Sequence, residues 1–295
     1  MDDTAPGRQA LGQALGPVVT GTDGSDHATR AVLWAADEAA VRGRPLTIVH
    51  ALGVEQALYL AYDDAHTILD RARTVLDEAT AQVSARRPDV RVSATVSYDE
   101  TTESLLEAAG TDGTIVLGSR GLGGFSALLV GSAGLRTAAH ARGPVIVVRD
   151  VTDTSEHRVV AALRDERDQD ALRFAARTAA LRDVPLRVVS VWMFLRNAGS
   201  MATMVDDLSG VARSEAEATA HLVVPIRKEF PDLTVTEDTV RAVSVAGALV
   251  EAAEHADLLV TGARGPTHPI SSPLGRVTHA VIHRARCPVA IVPRG

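Results

Sequence analysis

The sequence predicts an α/β chain of two tandem, doubly wound domains, each a five-stranded, mainly parallel sheet of order 3-2-1-4-5 with helices on both faces. Three observations carry this. The length, 295 residues, suits about two domains of roughly 150 residues each. The chain also repeats itself. Gly118, Gly121 and Gly131 align without a gap on Gly262, Gly265 and Gly275, and Ala141-Arg142-Gly143-Pro144-Val145 on Ala285-Arg286-Cys287-Pro288-Val289. Val18-Val19 answers Val159-Val160 and Pro45-Leu46 answers Pro185-Leu186, so the period is about 140 residues, a tandem of domains rather than a solenoid. Third, each copy alternates strand and helix in the order βαβαβαβαβ, which calls for a parallel sheet.

In the first copy Val18–Gly21 is a short β-rich run, and Asp23-Gly24-Ser25-Asp26 supplies turn and N-cap chemistry. Ala28, Ala31, Val32, Ala35 and Ala39 recur at helical spacing; Leu46–Val49 is the next strand. Apolar residues from Ala65 to Val83 mark a long amphipathic helix. Val90, Val92, Ala94 and Val96 alternate with polar residues, which places the third strand at a sheet edge. Leu105, Leu106 and Ala109 mark a short helix, Ile115–Leu117 a strand, Gly131–Ala141 a helix and Val145–Val148 the last strand. That fifth strand is also an edge of a five-stranded sheet, yet it is apolar throughout, as is Val289–Val292. An exposed apolar edge invites aggregation. The two fifth strands are therefore expected to cover each other about a pseudo-twofold axis, within the chain as a pseudo-dimer or between chains as a homodimer. Residues 1–16 are expected to be a flexible tail, 17–150 the first domain and 157–295 the second, joined through the polar run Asp150–Glu156.

Composition narrows the function. A content of 46% hydrophobic and 23% charged residues is that of a globular chain, not a disordered one. A net charge of −7 and 3% aromatics argue against nucleic acid as a partner. No apolar stretch reaches a membrane span, and the acidic start MDDTAPG is no signal peptide. The single Cys287, before an apolar run, is expected to be a buried thiol and gives no reason for an oxidising compartment, so the expected location is the cytoplasm. Lys228 is the only lysine and lies in a helical pattern, which excludes a Walker A loop and disfavours Schiff-base chemistry. There is no G-x-G-x-x-G for a dinucleotide.

In an open parallel sheet, ligands bind beyond the C-terminal ends of the strands where strand order reverses, here between strands one and four. Thr20–Gly24 leaves strand one, and Gly118-Ser119-Arg120-Gly121-Leu122-Gly123-Gly124 leaves strand four, followed by Gly131-Ser132 at a helix start. Glycines let backbone amides approach an anion, and a helix N-terminus favours negative charge. Ser132 adds a hydroxyl donor and Arg120 a charged one. Asp23, an acceptor when ionised, suits ribose hydroxyls or a metal ion. The residues describe a nucleotide lying across the switch point; the competing explanation is plain turn glycines.

The spacing Gly118-x2-Gly121-x9-Gly131-Ser132 resembles the ATP-binding signature of the universal stress protein family. The resemblance extends over both halves and includes Asp23 and the closing Pro-Val-x-Val-Val strand. It implies an α/β fold, contacts through strand five, and ATP binding with Mg²⁺ or Mn²⁺. By position, Asp23 would meet the ribose, Thr22 and Ala51 would flank adenine, and Gly118, Gly121, Gly131, Ser132 and Ala133 would hold the phosphates. It further implies a nucleotide-dependent regulator in stress or dormancy, acting on an unidentified protein partner. Alternatives are a slow ATPase or AMP-forming enzyme, for which the loop GTDGSD lacks the serine-glycine-glycine start, and a nucleotide-free interaction module. No catalytic residue is assigned.

The second half departs from the pattern. Arg276 replaces the Ser/Thr after Gly275, and Pro266, Pro269 and Pro273 remove amide donors. The Val-Val register sets Arg164 opposite Asp23, whereas a one-residue slip restores Asp165. Arg276 opposes the helix dipole unless it faces an anion. His279 and His283, four apart on a helix, have no third metal ligand in the sequence nearby. His50, Trp34 and Phe174 are expected in scaffold or core, and Trp192-Met193-Phe194 either lines the second cleft or packs beneath it.

Overall fold

The computed structural model describes residues 6–53, 65–119, 132–149, 157–193, 208–263 and 274–294. The first half contains α1 (Arg8–Ala14), β1 (Val18–Gly21), α2 (Asp26–Arg42), β2 (Leu46–Ala51), α3 (Ala65–Arg86), β3 (Val92–Ser97), α4 (Thr101–Ala109), β4 (Thr114–Gly118), α5 (Ser132–His140) and β5 (Val145–Val148). The second contains β6 (Val159–Leu163), a 3₁₀ turn (Glu166–Asp168), α6 (Gln169–Arg182), β7 (Leu186–Trp192), α7 (Leu208–Glu229), β8 (Val235–Arg241), α8 (Val245–Ala252), β9 (Leu258–Ala263), α9 (Arg276–Arg284) and β10 (Val289–Pro293).

Each half keeps the expected order 3-2-1-4-5, and the halves fuse into one ten-stranded sheet, β3-β2-β1-β4-β5-β10-β9-β6-β7-β8. Every pairing within a half is parallel. The join is antiparallel, with Val145 opposite Ile291, Ile146 opposite Ala290 and Val147 opposite Val289. The apolar fifth strands thus cover each other within the chain, and the alternating strands β3 and β8 take the outer edges. The C-terminal ends of the strands therefore face opposite margins of the sheet in the two halves.

Strand residues alternate between two cores, each running through both halves. Val18, Ile48, Ile146 and Val188 face α1, α2, α3, α6 and α7. Val19, Val49, Val147 and Val289 face α4, α5, α8 and α9. Helix boundaries follow local chemistry. Ser25 caps α2 by accepting from the Ala28 amide at 3.2 Å, and Gly43 closes the same helix in the left-handed region at φ 62°. Asp183 performs that closure for α6 at φ 58°, a conformation less costly for Asp than for branched residues. Cys287 is buried as expected, and burial pushes its thiol up to about 12.

One expectation is corrected. The segment expected to be a tail contains α1; Leu11 of that helix and Leu15, just past its end, are buried in the first of the two cores. Gly12 lies so close to the end of α2 that a Cβ there would stand 2.0 Å from the Arg42 carbonyl oxygen. The short apolar set Leu11/Leu15 is too brief to register as a helix by periodicity.

Beneath the join lies a buried charged cluster. Glu38 accepts from Arg42 Nε at 2.8 Å and from Arg182 Nη2, of the other half, at 2.5 Å. Arg42 also donates to the Leu15 carbonyl at 2.7 Å and to Thr114 Oγ1 at 2.8 Å. The guanidiniums cross over: Arg42 lies 5.8 Å from the Phe174 ring and Arg182 5.3 Å from the Trp34 ring. Burial pushes the Glu38 carboxyl up, but the charges and hydrogen bonds of Arg182 and Arg42 outweigh it and hold the group at about 2.

Two measurements test this architecture. Ile146→Lys places an unpaired ammonium in the join and is expected to lower stability by about 3 kcal/mol or more in chemical denaturation; an unchanged midpoint would count against the join. Glu38 has a depressed folded pKa, so its contribution is complete above the ordinary value of 4.5 and disappears as pH falls through about 2. Glu38→Gln is expected to cost about 3–5 kcal/mol at neutral pH. It should also flatten the acid limb of the stability profile between those values.

Candidate functional site

In the first half, β1, β2 and β4 lie side by side and end together. Val18, Val19 and Thr20 pair with β2 on one side and with β4 on the other. Thr22 follows β1, is buried, and donates its amide to the Val49 carbonyl at 2.9 Å. Its Oγ1 accepts from the Gly24 amide at 3.2 Å. Asp23 is half-buried, and its Oδ1 accepts from the Ser25 amide at 3.0 Å, a turn that delivers the chain to the cap of α2. Gly24 completes the turn at φ 81°. Ala51 ends β2, and Gly118 ends β4. Ser132 begins α5, and Ala133 follows it in the first turn. Arg120, Gly121 and Gly131 lie outside the described residues, as does the Ser132 side chain.

His50 is a satisfied scaffold residue, as expected; its partner was not legible in the sequence: Nδ1 donates to the Thr22 carbonyl at 2.8 Å and ties the loop after β1 to β2. Gly118 has a steric duty, since a Cβ there would stand 2.6 Å from the His27 carbonyl oxygen and 3.3 Å from the Ala28 amide. Its lack of a side chain lets α2 cross the end of β4.

The second half repeats this frame with other chemistry. β6 runs one residue longer than β1, and Asp165 makes the turn, accepting from the Arg167 amide at 3.0 Å. The one-residue slip weighed from sequence is thus the geometry of the turn, although the strand register still sets Arg164 opposite Asp23. Arg167 grips Asp165 through Nε at 3.2 Å and Nη2 at 3.0 Å, which holds its carboxyl below the usual carboxylate range. A Cβ on Gly262, the counterpart of Gly118, would stand 2.1 Å from Asp168 Oδ1. Asp168 is buried and receives Arg294 Nε at 2.9 Å, Arg294 Nη2 at 2.7 Å and the Arg164 amide at 2.9 Å. A cleft of about 700 Å³ opens beside this pair, between the ends of β6, β7 and β9 and the start of α9. Met193 lines it; Trp192 closes β7 under the Arg241 guanidinium at 5.9 Å, and Phe194 lies outside the described residues.

His279 and His283 stand on α9 with their Nε2 atoms 3.3 Å apart. Among the described residues no group of three or more His, Cys, Asp or Glu could hold a metal ion. Among them, too, no helix is long and apolar enough to cross a membrane.

The pattern of the "Universal stress protein family" matches twice, over residues 15–149 and 156–293. The chain belongs to that family. Universal stress protein Rv2624c of Mycobacterium tuberculosis is 27% identical over 281 residues, covering 94% of this chain and 96% of that protein. Universal stress protein Rv2005c of the same organism is 28% identical over 294 residues, covering 93% and 96%. A crystal structure of a universal stress protein from Archaeoglobus fulgidus superposes with a TM-score of 0.69 at 17% identity, over 97% of this chain and 98% of that one. The tandem layout of this universal stress protein is therefore shared along almost its whole length.

The steric duty of Gly118 makes a prediction separate from any ligand. Gly118→Ala is expected to lower stability by about 1–3 kcal/mol, because backbone rather than a flexible side chain must move. A melting temperature equal to wild type would show that α2 does not need this approach.

Proposed function

We propose that this universal stress protein is a cytoplasmic, nucleotide-dependent regulator that holds ATP, with Mg²⁺ or Mn²⁺, at the C-terminal ends of β1 and β4 in its first half. The observation that carries the proposal is the placement of Asp23 in a tight turn ahead of α2, in a chain whose spacing is Gly118-x2-Gly121-x9-Gly131-Ser132. Family membership supports it.

The donor set suits an adenine nucleotide. Asp23 offers a carboxylate acceptor for ribose hydroxyls. Thr22 and Ala51, at the ends of neighbouring strands, would border the base. The first turn of α5, beginning at Ser132, offers amides and the positive end of a helix dipole to phosphate. Ala133 would add a backbone amide there, and Gly118, Arg120, Gly121 and Gly131 would complete the phosphate cradle. A divalent ion would be carried on the phosphates, as Mg²⁺ commonly is. Bound ATP supplies a polyanion whose presence or absence can alter contacts with a protein partner; His50, through the Thr22 carbonyl, would hold the ribose-facing turn in place.

Mass spectrometry of nucleotide released from the purified protein is expected to find ATP, and calorimetry to find one strong site. Gly131→Ala is compatible with a helix start and should preserve the fold while weakening ATP by roughly tenfold to several hundredfold, the loss of one or two charge-assisted hydrogen bonds. Asp23→Asn should weaken adenosine and ATP alike if the carboxylate meets ribose. A Gly131→Ala protein that melts normally and binds ATP like wild type would overturn the assignment.

A further inference from the structure

The second-half cleft has a different chemical character, and its residues converge on a different ligand. Its volume of about 700 Å³ is that of a site for a drug-sized molecule. Its walls are apolar, built from Val189, Val191, Leu249 and Leu274. Apolar surface continues to the mouth, where Met193 is 51% and Val277 37% exposed.

The polar part of the cleft is cationic. Among the described residues Arg164, Arg276 and Arg294 line it against a single carboxylate, Asp168, and that carboxylate is taken by Arg294. Arg276 is exposed and has no ion-pair partner among the described residues. It is also the first residue of α9, whose preceding residue, Gly275, provides no side-chain cap. A cation at such a helix N-terminus is unfavourable twice over: it opposes the dipole, and Gly275 has no side chain to accept from the first amides. One anion at this point would satisfy the guanidinium and the amides together.

We propose that the second-half cleft binds an amphipathic organic anion, a carboxylate carried on an apolar acyl body, with the carboxylate at Arg276 and the start of α9 and the body against Val191, Leu249 and Leu274. A nucleotide suits the cleft less well. Of the three carboxylates between β6 and α6, Asp165 and Asp168 are each gripped through two nitrogens, by Arg167 and Arg294, and Glu166 is exposed and not among the described residues that line the cleft, so a sugar diol meets no free acceptor among them. A polyphosphate would leave the apolar walls wet.

The test is calorimetric titration of decanoate into the full-length protein, with decylammonium and ATP as comparison ligands. Decanoate is expected to saturate one site, and decylammonium to show no saturable binding. Arg276→Gln should weaken decanoate about tenfold or more, the loss of a charge-assisted hydrogen bond. Val277→Asp, at the exposed mouth, should weaken it further by adding a like charge, and both variants should melt as wild type does. ATP should leave bound decanoate in place. The proposal is overturned if decanoate does not saturate, if Arg276→Gln binds it unchanged, or if ATP displaces it mole for mole, which would make the cleft a second nucleotide site. None of these outcomes bears on ATP in the first half, which is read by Gly131→Ala and Asp23→Asn.

Discussion

The architecture depends on the apolar edge that a five-stranded parallel sheet leaves at its fifth strand. Val145–Val148 and Val289–Val292 are buried almost completely, and only strands of matching character could cover them. Their antiparallel pairing removes both edges at once and turns two sheets into one. It also fixes the direction of everything else. Strands within a half are parallel, so reversing direction at the join sends the two sets of C-terminal ends to opposite margins. The C-terminal strand ends of the two halves therefore cannot meet on one ligand.

The helices beneath the join meet through a deliberate imbalance. Arg42 and Arg182 occupy matching positions and cross to stack on Phe174 and Trp34, themselves a matching pair. Only the first half provides a carboxylate: the position matching Glu38 is Thr178, whose hydroxyl turns back to the Phe174 carbonyl. One buried glutamate thus serves two arginines, one from each half. Removing a partner from such a group leaves a charge without compensation in a medium where water cannot replace it. Arg149 adds a second tie, donating from the end of β5 to the Ile282 and His283 carbonyls at the end of α9, where a helix dipole welcomes a cation.

The differences between the two halves trace to a few positions within a repeated frame. Gly118 and Gly262 both stand where a strand end meets the start of a helix. In the first half the space is filled by the backbone of α2; in the second it is filled by the Asp168 carboxylate and its arginine. A strand longer by one residue moves the turn-forming aspartate from Asp23 to Asp165 and introduces Arg164 at the mouth. At the start of α9, Arg276 stands where the first half has the hydroxyl residue Ser132, which adds a guanidinium to the lining of the second cleft.

Repetition, strand order, edge strands and the mutual cover of the fifth strands were legible in the sequence, because they follow from hydrophobic periodicity and from the rule that apolar edges must be buried. So were Asp23 as a turn residue and the glycine spacing that follows β4. The helix at Arg8–Ala14 was not, since two leucines give no periodic signal until α2 and α6 provide a surface for them. Nor were the links between residues far apart in the chain: His50 to Thr22, Glu38 to Arg182, Asp168 to Arg294. Each depends on where a side chain ends in space, which local pattern does not encode. The sequence alone determined two tandem α/β units, each with a glycine-spaced segment after its fourth strand. Only the tertiary structure decided that α2 crosses Gly118 too closely for a side chain, that the strand ends of the two halves face opposite margins, and that the described residues of the second-half cleft are mostly apolar with three arginines, because charge and sterics at a site are set by neighbours that meet only on folding.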